Sequence, residues 1–311
     1  MASPTHSLVI PAYNEAARLS AAFERLRPTL EILGPENTEI VMVDDGSSDD
    51  TMRVAHQVYG HLEHFRLIQH PHNMGKGAAV RTGMAHARYP KVIVADADMS
   101  IRPEHFVSIL SALDHASFAP GTRARNGKIH YQAAHRTVSG NAFHLLVRHY
   151  TKIAARDTQC GCKGFRLAAG RLMAELGFVT GFAYDVEIFY LAEQLGFDTE
   201  PVRVTWDDIG GSTVNLSRGK RELLSDLRGI VRTKYQCPAI EVETQFPLDD
   251  VRRAAIEARA AGLVVARGEV HDVIVVPRNA AVAAIGIAQS LGGSLRTTTL
   301  GELRGRTLEA V

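Results

Sequence analysis

Cysteine is scarce in this chain: Cys160, Cys162 and Cys237 are the only three in 311 residues. An odd, scattered set gives no disulfide framework. Cys160-Gly-Cys162 also lacks the two-residue spacer and the second pair of a zinc site, and packing is the expected role of Cys160 and Cys162. No apolar run reaches the ~20 residues of a membrane-spanning helix. The first predicted strand, over 8–10, is too short for the apolar region of a signal peptide, so the expected compartment is cytoplasmic. An excess of charge of either sign is missing as well. The 35 basic and 34 acidic residues leave a net charge of +1, which argues against a generally basic nucleic-acid binder. Gly-x-Gly-x-x-Gly is absent after the first strand and no Walker sequence occurs, so Rossmann dinucleotide and P-loop readings fail. There is no internal repeat and no low-complexity tract.

What is present is the composition of a globular protein, 45% hydrophobic and 22% charged, enough for one large domain or one ordinary domain with an annex. The first half alternates strands and helices in the manner of a mostly parallel α/β sheet. Strands are predicted over 8–10, 40–43, 65–68, 92–95, 117–120 and 200–206. Helices are predicted from about Leu19 to Leu30, after Asp50 to about Tyr59, from Gly77 to about Arg88, and over 103–113, 136–153, 167–175 and 185–195. Ser47 or Ser48 is the expected N-cap of the second helix. The polar, glycine-punctuated stretch 156–166 reads as a loop. Over 214–235, leucines at helical spacing alternate with arginines and lysines. This basic amphipathic helix either lies on an anionic membrane surface or packs on its own domain with a solvated basic face. Beyond Pro238 the texture changes to a small α/β annex. Its strands are predicted over 263–266, 273–276 and 294–298 and its helices over 248–262 and 279–291, with no catalytic constellation.

Asp96-Ala-Asp98 ends the fourth strand, and alternate residues of an extended chain point the same way. Ligands bind at the carboxyl ends of strands in an open parallel sheet. Two carboxylates there suit a hard divalent cation that also holds a diphosphate. The competing reading is an acidic strand end that only caps the next helix. The loops 11–15 and 44–50 reach the same edge, so several carboxylates meet in one crevice, where they cannot hold a bare diphosphate by charge. A metal can hold it, while another carboxylate takes a ribose hydroxyl or base N–H. Asn73-Met-Gly-Lys-Gly77 either presents backbone N–H groups and Lys76 to a phosphate or is only a tight turn. The scattered histidines, His70, His72, His130, His135, His144 and His149, lack carboxylate partners at ligand spacing, and most of them read as bystanders.

Together, Ile10-Pro-Ala-Tyr-Asn-Glu15, Val43-Asp-Asp-Gly-Ser47, Asn73-Met-Gly-Lys-Gly77 and Asp96-Ala-Asp98 resemble glycosyltransferase family 2, with its GT-A nucleotide-sugar fold. Asp157-Thr-Gln-Cys-Gly161 followed by Lys163-Gly-Phe-Arg166 resembles the dolichyl-phosphate β-glucosyltransferase branch and its bacterial polyprenyl-phosphate relatives. The resemblance spans about residues 6–235, each motif weak alone and the ordered set specific. It implies that Pro11, Tyr13, Glu15 and Asp45 line the nucleoside pocket, with Asp96 and Lys76 also at the donor. It implies Mg²⁺ or Mn²⁺ on Asp96 and Asp98, with Asp98 the more direct ligand. Arg123, Arg136 and Ser139 would receive an acceptor phosphate, as arginine forks suit. Asp157 has two candidate roles. It would be the base for a hydroxyl acceptor, or a positioning group for a phosphate acceptor that is already anionic at neutral pH. Asp185 and Glu187 are a second acidic candidate for donor or acceptor contact, and the segment 206–212 a candidate cover for the donor.

These readings converge on a metal-dependent, inverting hexosyltransferase. Residues 1–237 would be the transferase domain, with 214–235 as its basic segment, and 238–311 a small C-terminal α/β domain. The donor would be a UDP-glucose or GDP-mannose class nucleotide sugar, glucose first, and the acceptor a polyprenyl phosphate. Members of the branch carry a membrane anchor or spans that this sequence does not show, so membrane contact is expected to be peripheral, on the cytoplasmic face, through the basic helix. The alternatives are a transferase acting on a hydroxyl acceptor and a nucleotide-sugar-binding module without turnover.

Overall fold

The computed structural model describes residues 4–123, 145–155, 157–195, 197–207, 219–233 and 235–242, together with strands at 264–267, 272–275, 294–299 and 307–310. Strands β1 (His6–Ala12), β2 (Thr38–Asp44), β3 (Phe65–Gln69) and β4 (Lys91–Ala95) alternate with helices α1 (Leu19–Leu33), α2 (Thr51–Tyr59) and α3 (Lys76–His86). Then follow α4 (Pro103–Ala112), β5 (Phe118–Arg123), helical residues 145–151 (α5), β6 (Cys162–Arg166), α6 (Leu167–Leu176), α7 (Tyr184–Leu195), β7 (Val202–Val204) and α8 (Gly219–Arg232). The seven strands form one sheet in the order β3-β2-β1-β4-β6-β5-β7.

Alternation of side chains makes the two faces. Val9, Val41, Val43, Val92 and Val94 are buried with α3, α6, α7 and α8 on one side. Leu8, Ile10, Ile40, Met42, Ile93 and Ala95 are buried with α1, α2 and α4 on the other, as a period of two requires. β1 pairs in parallel with both β2 and β4. The chain therefore winds outward from β1 through β2 to β3 and then returns to β1's other side. That reversal makes β1/β4 the topological switch point, where ligands of such sheets bind.

Two sequence expectations need correction. Residues 162–166 are a strand, not a loop. β6 lies antiparallel between β4 and β5, and its glycine and charges fit an interior strand because Lys163 is ion-paired to Asp185 inside the core. The second helix is capped by neither Ser47 nor Ser48. It begins at Thr51 after Asp50, while Asp49 Oδ1 accepts from the Thr51 N–H at 3.0 Å.

The two readings of the basic helix are separated by its packing. Leu227 and Ile230 are fully buried on the α3/α6/α7 side of the sheet, while Arg228 and Arg232 are exposed. α8 is thus a helix packed on its own sheet with a solvated basic side. Among the described residues no helix is long and apolar enough to cross a membrane.

A second sheet, antiparallel throughout, has five strands in the order β11-β8-β10-β9-β12. These are β8 (Gln236–Val242), β9 (Val264–Arg267), β10 (Asp272–Val275), β11 (Ser294–Thr299) and β12 (Thr307–Ala310). Its first and last strands were not anticipated from sequence. The helices expected over 248–262 and 279–291 lie outside the described residues.

Candidate active site

The loop after β1 is braced by the loop after β2. Asn14, with φ 52°, donates its N–H to Ser47 Oγ at 2.8 Å, and its Oδ1 accepts from the Ser48 N–H at 2.9 Å. Glu15 N–H donates to Thr51 Oγ1 at 2.8 Å. These bonds leave Tyr13 exposed at the rim and hold Glu15 against Arg18, 2.5 Å away. Pro11 is buried within β1.

β4 ends at Ala95, and Asp96 to Met99 form a turn closed by Met99 N–H to Asp96 O at 3.1 Å. A turn, not the extended alternation expected from sequence, therefore places Asp96 and Asp98. Met99 sits in the left-handed region at φ 49°, unfavourable for a side chain of its size and characteristic of places where structure is held for function. Arg25 fixes the turn from α1, donating to Asp98 O from Nε at 2.9 Å and Nη2 at 2.7 Å.

Glu15, Asp96 and Asp98 feel one another across the switch point. Burial, then the charge of Asp96, raises the Asp98 carboxyl above its ordinary range. Burial raises Glu15 too, against the pull of Arg18, with Asp98 and Asp96 adding to the rise. Carboxylates crowded this way are stabilised by a cation among them. Lys76 Nζ already stands in for one, 2.6 Å from Asp96 Oδ1. Among the described residues no group of three or more His, Cys, Asp or Glu could cage a metal. Two carboxylates completed by substrate oxygens and water are the way Mg²⁺ is usually held, so the donor set fits such an ion.

Asp45 and the 73–77 loop take roles that sequence reasoning did not foresee. Asp45 is buried and accepts from Met74 N–H at 2.9 Å and Gly75 N–H at 2.8 Å, with His70 Nδ1 at 2.8 Å. Gly77 N–H donates to Thr180 O at 2.7 Å. The N–H groups of Met74, Gly75 and Gly77 are thus spent inside the protein, while Lys76 carries its charge outward to Asp96. The signal was in the sequence, since a buried carboxylate must find donors and a Gly-rich turn supplies them.

Arg123, at the end of β5, meets Asp157 in a fork: Nε to Oδ2 and Nη2 to Oδ1, both 2.8 Å, with the Arg123 N–H to Oδ2 at 3.0 Å. The Trp206 ring lies 5.9 Å from the guanidinium. Burial pushes the Asp157 carboxyl up, but the hydrogen bonds and charge of Arg123 outweigh it and hold the group below its ordinary value. Gly161 closes the same loop onto Asp96. A Cβ there would stand 2.0 Å from Asp96 Oδ2, and its carbonyl accepts from Asp96 N–H at 3.1 Å. Only glycine lets the 157–161 loop lie on Asp96. Arg136, Ser139 and residues 208–212 lie outside the described residues.

Asp185 and Glu187 are both buried and bonded to protein groups. Asp185 accepts from Lys163 Nζ at 2.5 Å, which also donates to Cys160 O. Glu187 is buried and accepts from the N–H groups of Phe178 and Val179 and from Tyr235. Lys163 was missed as a structural group because its stretch read as a loop. Cys160 and Cys162 are buried, and burial raises the Cys160 thiol to about 11, as packing residues require.

A doubly wound sheet carrying a carboxylate pair at its switch point is the GT-A glycosyltransferase architecture. The solved glucosyl-3-phosphoglycerate synthase of Mycobacterium tuberculosis, crystallised with UDP, shares the fold with a TM-score of 0.53 at 18% identity, over 73% of this chain and 80% of that one. The Glycosyl transferase family 2 model matches residues 7–171, and the chain belongs to that family. It is similar to the dolichyl-phosphate beta-glucosyltransferase of Drosophila melanogaster, 35% identical over 222 residues, 66% of this chain and 68% of that protein. The human protein of the same name is 34% identical over 229 residues, 68% of this chain and 70% of that protein. The chain spans about two thirds of the length of these curated relatives.

Proposed function

We propose that this glycosyltransferase moves glucose from a nucleotide diphosphate sugar to a polyprenyl phosphate. The observation that carries the acceptor assignment is the Arg123–Asp157 fork. A hydroxyl acceptor must lose a proton as it attacks, and a carboxylate locked on an arginine and held below its ordinary pKa is a poor base. A phosphate acceptor is already anionic and needs none. Asp157 then orients Arg123, and Arg123, Arg136 and Ser139 receive the acceptor's phosphate. The names of the relatives support glucose and a dolichyl-type lipid.

On the donor side, Asp96 and Asp98 would hold Mg²⁺ or Mn²⁺, and one solved protein of this fold, the glucosyl-3-phosphoglycerate synthase, was crystallised with UDP both alone and together with Mg²⁺. A bound ion would supply Lewis-acid stabilisation of the departing nucleoside diphosphate. Tyr13 at the rim, with Pro11 and Glu15 behind it, would bound the nucleoside, and Asp45 would act from beneath by shaping the 73–77 loop. Contact with an anionic membrane would come through the exposed Arg228 and Arg232, because the apolar side of α8 is already buried. The division into a transferase domain to residue 237 and a C-terminal domain from 238 belongs to the same proposal.

Transfer of labelled glucose from UDP-glucose or GDP-glucose into the organic phase tests the acceptor. Label should follow polyprenyl phosphate and not the corresponding polyprenol. Equal labelling of the alcohol would refute the phosphate assignment.

A further inference from the structure

Lys76 is tied to Asp96 by its ammonium and to the core by its backbone, and the two attachments differ in stiffness. Its backbone is clamped. A Cβ on Gly75 would lie 2.3 Å from Thr180 O, and one on Gly77 2.5 Å from Val179 O, so the 179–180 backbone packs against the chain on both sides of Lys76. Its four-carbon stem can turn, and the ammonium it carries is a compact point charge with three donors. That ammonium rests 2.6 Å from Asp96 Oδ1, with the Tyr184 ring 5.6 Å away and the charge of Asp185 acting on it from the core. Leaving Asp96 would therefore not strand it.

We propose that Lys76 is an internal counter-cation, seated on Asp96 while the site is empty and transferred to the donor's diphosphate when metal and nucleotide bind together. The inference rests on the metal reading of Asp96 and Asp98. A bare divalent ion must compete with an ammonium already on one of its two carboxylates, so alone it binds weakly. A nucleoside diphosphate brings anionic oxygens that take the ammonium over and complete the ion's coordination. Metal and nucleotide thus reinforce each other's binding, and by linkage the factor is the same in either direction. The device keeps the crowded carboxylates neutralised between turnovers without a resident ion.

The test is Mn²⁺ binding, read from the electron paramagnetic resonance signal of the free ion, with UDP and GDP as probes. In the wild-type chain one of the nucleotides should tighten Mn²⁺ by about tenfold or more. Lys76→Met should bind Mn²⁺ without nucleotide about tenfold tighter than wild type, because one competing charge at contact distance is gone, and should lose most of the nucleotide effect. Lys76→Arg, which keeps the charge, should retain weak binding and the synergy. Lys76→Gln repeats the neutral substitution with a polar group, and circular dichroism confirms that each variant is folded. Wild-type synergy with both neutral variants binding Mn²⁺ as weakly as wild type would overturn the role of Lys76 alone. No Mn²⁺ binding by wild type with either nucleotide would overturn the metal reading and this inference with it.

Discussion

Asp98 sits in an environment that disfavours its charge: it is partly buried, faces Asp96, and lies in the turn whose Met99 is in the left-handed region. Groups held at such cost are the ones a function requires. Asp98→Ala should leave the thermal melting temperature at or above that of wild type, since it removes repulsion, and should lower metal-dependent nucleotide release by about 10²-fold or more. Full turnover by that variant at ordinary metal concentration would sink the assignment. Across the site, Arg123→Ala should raise the KM for lipid phosphate about tenfold, the worth of a charge-assisted hydrogen bond, with nucleotide affinity little changed. Damage confined to nucleotide affinity would misplace the acceptor site. The Asp157 partner sets a pH expectation. Its folded pKa lies below the ordinary 3.8, so its pairing contributes stability above that value and loses it only as pH falls lower still.

At the scale of elements, β6 decides how the two halves of the site meet. Its Lys163 ties the Asp157–Gly161 loop, through Cys160 O, to the first turn of α7 through Asp185. Lys163→Met would remove the ion-pair partner of buried Asp185, a loss that costs about 3–5 kcal/mol. The double variant Lys163→Met, Asp185→Leu should recover much of that loss in a denaturant titration. If the double variant is no more stable than the single one, the pair is not the relevant interaction. This strand is also where reading the sequence failed. Periodicity identifies half-buried strands and amphipathic helices, and it served for β1, β2, β4 and α1. A strand whose interior positions are cysteine, lysine and glycine carries no such signature. Its assignment depends on Asp185, twenty-two residues away, and long-range pairing is not written in local pattern.

For the whole molecule, the order β3-β2-β1-β4 follows from four strands and three helices that were legible as an alternation, and the switch point follows from that order. The motifs Asp96-Ala-Asp98 and Asp157-Thr-Gln-Cys-Gly161 could be placed at its edge from sequence. Their partners could not: Lys76 on Asp96 and Arg123 on Asp157 are contacts between elements 20 and 34 residues apart. In the proposed reading, those partners turn two acidic motifs into a donor side and an acceptor side that meet at Gly161. Nucleotide release from a panel of UDP- and GDP-sugars, with and without a divalent metal and with and without polyprenyl phosphate, tests that arrangement most directly. We expect rapid release only when a glucose donor, the metal and the lipid phosphate are all present. Release that is undiminished by chelation of the metal, or indifferent to the lipid phosphate, would contradict it.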